Sequence, residues 1–320
     1  MDLELTQNDF DDARTTIDGL VHHTPLLSSR SLSVRTGLRV WLKAENLQKT
    51  GSFKVRGAFN KVLHLPPTEQ RRGIVTASAG NHGQAVAFVS SHQKIPGYVV
   101  MPDGANRSKV RAVKEYGAET ILHGRFWDDA YAHSLQLAQE KDLVYVHPFK
   151  DRHIMAGQGT IALEILEDLP DLEAILIPIG GGGLISGIAM ALRLALPHVR
   201  IIGVEPEGAA NMRTSREKGS ATQFEQVTTI ADGLATKGTD PEVFRCVDRL
   251  VDDLVTVSDQ EIREAIPLLM ERAKLVAEPA GAATVAALLA GKFSLPKDAR
   301  TVALVSGGNL DVSGTVSLSV

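Results

Sequence analysis

Ala174-Ile175-Leu176-Ile177-Pro178-Ile179-Gly180-Gly181-Gly182-Gly183-Leu184-Ile185-Ser186-Gly187 holds an apolar run, a bend stripped of side chains and the opening of an apolar periodic stretch. No charged residue occurs from Ala174 to Leu192, close to the length that crosses a bilayer. Pro178 and four consecutive glycines would break a lipid-facing helix. A buried strand, a glycine loop and a helix account for the segment.

The same alternation extends outward. Further strands are expected at Val40–Lys43, Gly73–Ala77, Gly97–Met101, Glu119–Leu122, Leu143–Val146, Arg200–Val204 and Thr301–Val305. Helical stretches are expected at Asn81–His92, Ser108–Tyr116, Phe126–Glu140, Gly157–Asp168 and Leu184–Leu196. Strands spaced by helices imply crossover units and parallel sheets, hence an α/β fold. Gly73–Val146 can form a compact lobe of its own, and His147–Gln158 reads as the return crossing.

Three glycine-bearing turns follow expected strands. They are Ala77-Ser78-Ala79-Gly80-Asn81-His82-Gly83, Gly180–Gly183, and Ser306-Gly307-Gly308-Asn309. Backbone N–H groups at such turns, with the dipole of a following helix, hold an anion without a cationic side chain. The tetraglycine suits a phosphate, because no Cβ keeps the ligand away. The Ser78–His82 turn adds hydroxyl, amide and imidazole, which suits a carboxylate. In open α/β sheets ligands gather at the carboxyl ends of strands. The bland alternative is that these glycines only make tight turns.

Composition narrows the class. The 320 residues are 43% hydrophobic, 22% charged and 5% aromatic, which fits a globular protein with a sizeable core. A net charge of −4 gives no electrostatic case for nucleic acid or an anionic membrane. Cys246 is the single cysteine, so no internal disulfide forms, and Met1-Asp2-Leu3-Glu4 lacks the basic start of a signal peptide. Both point to the cytoplasm.

A dinucleotide site is the main rival, since Glu205 caps the strand after the tetraglycine helix. Yet G-x-G-x-x-G would need glycine at Ile185 or Ser186. No G-x-S-x-G, P-loop or H-E-x-x-H occurs.

The other decisive stretch is Lys43-Ala44-Glu45-Asn46-Leu47-Gln48-Lys49-Thr50-Gly51-Ser52-Phe53-Lys54-Val55-Arg56-Gly57-Ala58. Thr50-Gly51-Ser52 reads as a turn and helix cap, which puts Lys54 in a first helical turn. A lysine among helix N-termini sits in a positive field that favours its neutral, nucleophilic form. An ordinary lysine, with a pKa of about 10.4, stays protonated at neutral pH.

Gly51-Ser52-Phe53-Lys54, Ser78-Ala79-Gly80-Asn81-His82, the tetraglycine and Ser306-Gly307-Gly308-Asn309, in that order, resemble the fold-type II pyridoxal-phosphate (PLP) enzymes. Within these the chain is similar to the threonine/serine dehydratase and serine racemase family, from about His23 to Asn309. The resemblance implies two lobes of open, mostly parallel sheets flanked by helices: 1–68 with 151–320 as the larger, 69–150 as the smaller. It implies that Lys54 is joined to PLP and acts as the base, with Phe53 packed at the ring. Asn81 would bond the phenolic oxygen. Gly180, Gly181, Gly182, Gly183 and the Leu184 amide would cradle the phosphate, and Ser306 would face the pyridine nitrogen. Ser78, Ala79, Asn81 and His82 would form the loop for the substrate carboxylate. The implied reaction is loss of water from a β-hydroxy amino acid, by default L-threonine or L-serine, giving a 2-oxo acid and ammonia. A homodimer or homotetramer is implied too.

Three departures refine this. The racemases carry a serine immediately before Gly-Asn-His as the second acid/base. Ala79 stands there, so dehydration is expected over racemisation. Cation-binding members pair an acid after the Val-Glu-Pro strand with an aspartate. Glu205 fills the first place but Asn211 the second, and no metal is assigned. The sequence runs 11 residues past Asn309 (310–320), too few for the regulatory domain of isoleucine-controlled members. Dehydratases of β-phenylserine, 3-hydroxyaspartate or hydroxyectoine-type substrates, a serine racemase and a non-catalytic PLP-binding protein remain open as readings.

Overall fold

Ala174–Pro178 is buried along its whole length, as a strand covered on both faces must be. In the computed structural model, which describes residues 3–105 and 107–311, it is one of ten strands among the described residues. These are β1 (Leu26–Ser28), β2 (Arg39–Ala44), β3 (Ile74–Ala77), β4 (Gly97–Met101), β5 (Glu119–Leu122), β6 (Val144–Tyr145), β7 (Ala174–Pro178), β8 (Arg200–Pro206), β9 (Asp253–Val257) and β10 (Arg300–Val305). Six make one sheet in the order β1-β2-β10-β7-β8-β9, parallel except for β1 against β2. Four make a second sheet, β5-β4-β3-β6, parallel throughout. The expected α/β fold with mostly parallel sheets is found.

Apolar clusters cover both faces of the larger sheet. Ile175, Ile177 and Leu304 point to one, while Leu176, Ala303 and Val305 point to the other. That alternation is the period-two strand geometry expressed in fully buried strands.

Close helix packing explains much of the glycine. A Cβ on Gly157 would lie 2.7 Å from the Cα of Gly57, and one on Gly187 would lie 2.1 Å from the carbonyl of Met155. The helices Lys54–Leu63, Arg152–Asp168 and Gly183–Ala195 therefore lie backbone to backbone at these points.

Two of these helices and the end of β2 gather four charges. Arg56 is fully buried and bonds both oxygens of Glu45, at 2.9 and 2.8 Å, and both of Glu164, at 2.5 and 2.9 Å. Lys43, also fully buried, donates to Glu164 and to the Thr24 carbonyl, each at 2.6 Å. Two positive and two negative groups balance, which is what lets them stay out of water.

One crossing differs from expectation. Only 147–151 is irregular, because a helix begins at Arg152. Asp151 caps it, its side chain accepting the N–H groups of His153 at 2.8 Å and Ile154 at 3.1 Å. Its polar first turn hid the start. Among the described residues no helix is long and apolar enough to cross a membrane. Residues 1–2 and 312–320, on which the readings of both chain ends partly rest, lie outside the described residues.

Candidate active site

The parallel neighbours β7 and β10 end side by side in two of the glycine-bearing turns, and β3, in the smaller sheet, ends in the other, whose Asn81 bonds Asn309. The lysine turn is laced to the third of them. Phe53 N–H donates to the Ser306 carbonyl at 3.2 Å, Gly308 N–H donates to Gly51 at 2.8 Å, and Ser52 bridges Gly307. A Cβ on Gly51, which has φ +69°, would sit 2.3 Å from the Asn309 side chain. Contrary to the expected cap, Ser52 does not cap the helix. Its hydroxyl is buried without a hydrogen-bond partner, and Phe53 holds the N-cap position of Lys54–Leu63.

Lys54 opens that helix. Its Nζ donates to the Pro148 carbonyl at 3.0 Å and lies 5.1 Å from the Phe53 ring centre. Burial drives its ammonium down to about 8, since losing water disfavours the charged form. A substantial neutral fraction therefore exists near neutral pH, as a base and nucleophile require.

The first turn joins the third through side chains. Asn309 Nδ2 donates to Asn81 Oδ1 at 2.8 Å and to the Thr50 carbonyl at 2.9 Å. Asn81 in turn donates to Glu278 at 2.5 Å. Glu278 is buried, and desolvation raises its carboxyl to about 7. Ser78 Oγ accepts the Gly80 N–H at 3.2 Å, and Ala79 is half-buried against the small-sheet cluster around Val99 and Met101. His82 behaves differently from the expectation for its side chain. The imidazole is buried, its Nε2 donates to the Val146 carbonyl at 3.0 Å, and burial with the nearby Lys54 charge lowers it to about 3. It stays neutral and faces inward, so residue 82 offers the turn its main-chain N–H.

The tetraglycine completes the ring. Gly183 starts the helix Gly183–Ala195, whose first N–H groups have no intrahelical partner. Leu184 follows and is buried. A Cβ on Gly181 would meet the Phe149 ring at 2.3 Å, and one on Gly183 would meet Phe149 Cβ at 2.7 Å. Bare backbone is the only chain that fits, and bare backbone with free donors is what a phosphate needs. Ser306, buried at the end of β10, completes the set. Charge, donor geometry and an amine near 8 together fit an aldehyde cofactor with an anionic tail.

A model of pyridoxal-phosphate dependent enzymes matches residues 17–307. The chain belongs to that family. It is 46% identical over 309 residues to the L-threonine ammonia-lyase of Thermotoga maritima, covering 97% of this chain and 77% of the relative. It is 42% identical over 313 residues to the catabolic L-threonine dehydratase of Escherichia coli K12, covering 98% and 95%. The structure of maize serine racemase superposes with a TM-score of 0.92 at 36% identity, covering 95% of this chain and 94% of that one. The protein is thus a PLP-dependent enzyme of the fold-type II class.

Sequence reasoning missed His147, Pro148, Phe149 and Glu278, all of which border this ring. A histidine before Pro-Phe carries no local signal; only the fold brings it to Lys54. The cation pair weighed earlier takes another form. Glu205 is buried rather than facing solvent, and its two oxygens accept the N–H groups of Met212 and Arg213, each at 2.8 Å. It caps the helix Asn211–Lys218. Among the described residues no group of three His, Cys, Asp or Glu side chains is gathered as for a metal ion.

Proposed function

We propose that this enzyme removes water from a β-hydroxy amino acid, L-threonine or L-serine, and releases a 2-oxo acid and ammonia. The observation that supports the reading is one amine, Lys54, whose burial lowers its ammonium to about 8 and whose Nζ donates to Pro148, beside the Phe149 that packs on the tetraglycine. The activity named for the two curated relatives supports it.

Lys54 would hold the cofactor, with Phe53 against it, the Gly180–Gly183 N–H groups and Leu184 around its phosphate, Asn81 at the phenolic oxygen and Ser306 at the pyridine nitrogen. Bound there, PLP supplies an electron sink for the charge left at the substrate Cα. Ser306 is a neutral partner, so it does not force a proton onto the ring. The Ser78–His82 turn takes the substrate carboxylate through its hydroxyl, amide and main-chain donors. The Lys54 amine takes the α-proton, a contribution of about 10²–10⁴ in rate.

Racemisation is the second reading, supported by the likeness to maize serine racemase. Ala79 weighs against it, because a methyl group carries no proton to the face opposite Lys54. We propose that 69–150 acts as a small lobe against 1–68 with 151–320, and that the enzyme is a cytoplasmic homodimer or homotetramer. The test is keto-acid release from a panel of β-hydroxy amino acids by the wild type and Lys54→Ala. Turnover by the wild type on threonine or serine, absent in the variant, supports the assignment. Turnover retained in the variant overturns it.

A further inference from the structure

His147-Pro148-Phe149 joins the lysine to the tetraglycine. Pro148 gives its carbonyl to Lys54 Nζ at 3.0 Å, and Phe149 lies against Gly181 and Gly183 of the cup. His147 stands just before them, after the end of β6, with its ring centroid 4.6 Å from that of Phe149, edge-on at 88°. The backbone fixes its tautomer. Nδ1 accepts the N–H of Phe149 at 3.2 Å and of Lys150 at 2.8 Å, so Nδ1 carries no proton. The proton of the neutral ring is then on Nε2. The side chain is half-buried, and its ring is near enough to Lys54 for that charge to act on it.

We propose that the His147 Nε2–H is the hydrogen-bond donor for the departing β-oxygen. This rests on the elimination proposed above and names a part that reading leaves unassigned. The β-carbon to oxygen bond breaks with its electron pair on oxygen, and a hydroxide is a poor leaving group. The proton Lys54 takes from Cα passes to that oxygen, so water leaves and Lys54 returns to the free amine. His147 transfers no proton. It stabilises the negative charge that grows on oxygen before the proton arrives, as a neutral imidazole donor can. Burial and the neighbouring Lys54 hold its conjugate acid down to about 4, which keeps the ring neutral while Lys54 works.

Two substrates and two variants test this. His147→Asn keeps an acceptor where Nδ1 sits, for the N–H groups of Phe149 and Lys150, but lacks the far donor. His147→Gln places a donor near the Nε2 position. L-Serine must lose hydroxide, whereas β-chloro-L-alanine loses chloride, which needs no donor. The expected result for His147→Asn is a kcat on L-serine reduced about 10²–10³-fold, with β-chloro-L-alanine turnover within about threefold of wild type. His147→Gln should recover part of the serine rate. Cofactor absorbance and thermal midpoint, read on the same samples, should match wild type. In the wild type, ¹⁵N spectra should show the His147 proton on Nε2 throughout pH 6–9. Equal losses on both substrates, no loss on serine, or an Nδ1–H tautomer would overturn the proposal. A wild type inert toward both substrates would instead sink the elimination reading itself.

Discussion

Asn81 Nδ2 lies 2.5 Å from Glu278 Oε1, a hydrogen bond between residues 197 positions apart that closes one end of the site. The carboxyl it meets is buried, and a Cβ on neighbouring Gly307 would overlap that same oxygen at 2.2 Å. Asn81 is therefore aimed by a group that does not itself belong to any of the three turns.

The raised carboxyl of Glu278 has a signed consequence. Its folded value of about 7 exceeds the ordinary 4.5, chiefly through burial, so the folded chain binds the proton more tightly than the unfolded chain. The stability this contributes is complete below about pH 4.5 and is lost as pH rises through 7. Glu278→Gln removes that slope. Thermal melts of the cofactor-free protein should show the variant gaining on the wild type between pH 5 and 8. Parallel profiles would show that Glu278 is ionised normally.

Lys54 should titrate far below its peers. In ¹³C-lysine spectra of the cofactor-free protein, its Cε resonance is expected to move with a midpoint near 8, against 10.5 for ordinary lysines. Lys54→Arg assigns the signal. A midpoint above about 9.5 would remove the desolvated amine from the mechanism.

Ala79→Ser restores a hydroxyl where the racemases have one. The ratio of racemisation to elimination on L-serine should rise at least about tenfold, a fraction of the ~10²–10⁴ that a positioned proton carrier supplies. Chiral chromatography of the remaining serine against keto-acid yield measures it. An unchanged ratio would mean that the missing hydroxyl is not what suppresses racemisation.

Gly181→Ala puts a methyl group into the Phe149 ring. Overpacking of this kind costs about 1–3 kcal/mol, or roughly five- to hundredfold in PLP retention if the cup takes the strain. Equilibrium dialysis should show weaker binding that Phe149→Leu partly repairs in the double variant. Additive losses would mean that the ring and the loop do not press on each other.

The parts legible in the sequence were those written in local pattern. β7 is apolar throughout and β10 from Val302 onward, and a glycine turn follows each of them directly. β1 is three residues long, and β9 begins on Asp253, so neither has enough period to stand out. The pairing of Lys43, Glu45, Arg56 and Glu164 is not written in local pattern; only packing three segments together brings these charges to one another. His147 and Glu278 were hidden for a related reason. Their chemistry comes from neighbours supplied by distant turns.

The Lys43–Glu164–Arg56–Glu45 cluster acts as an assembly check. An error in docking any of its three contributing segments would leave a buried charge without its partner, at a cost of about 3–5 kcal/mol. Half-built forms are thereby made scarce. Arg56 lies two residues from Lys54, so the helix turn that carries the amine is the one the cluster anchors.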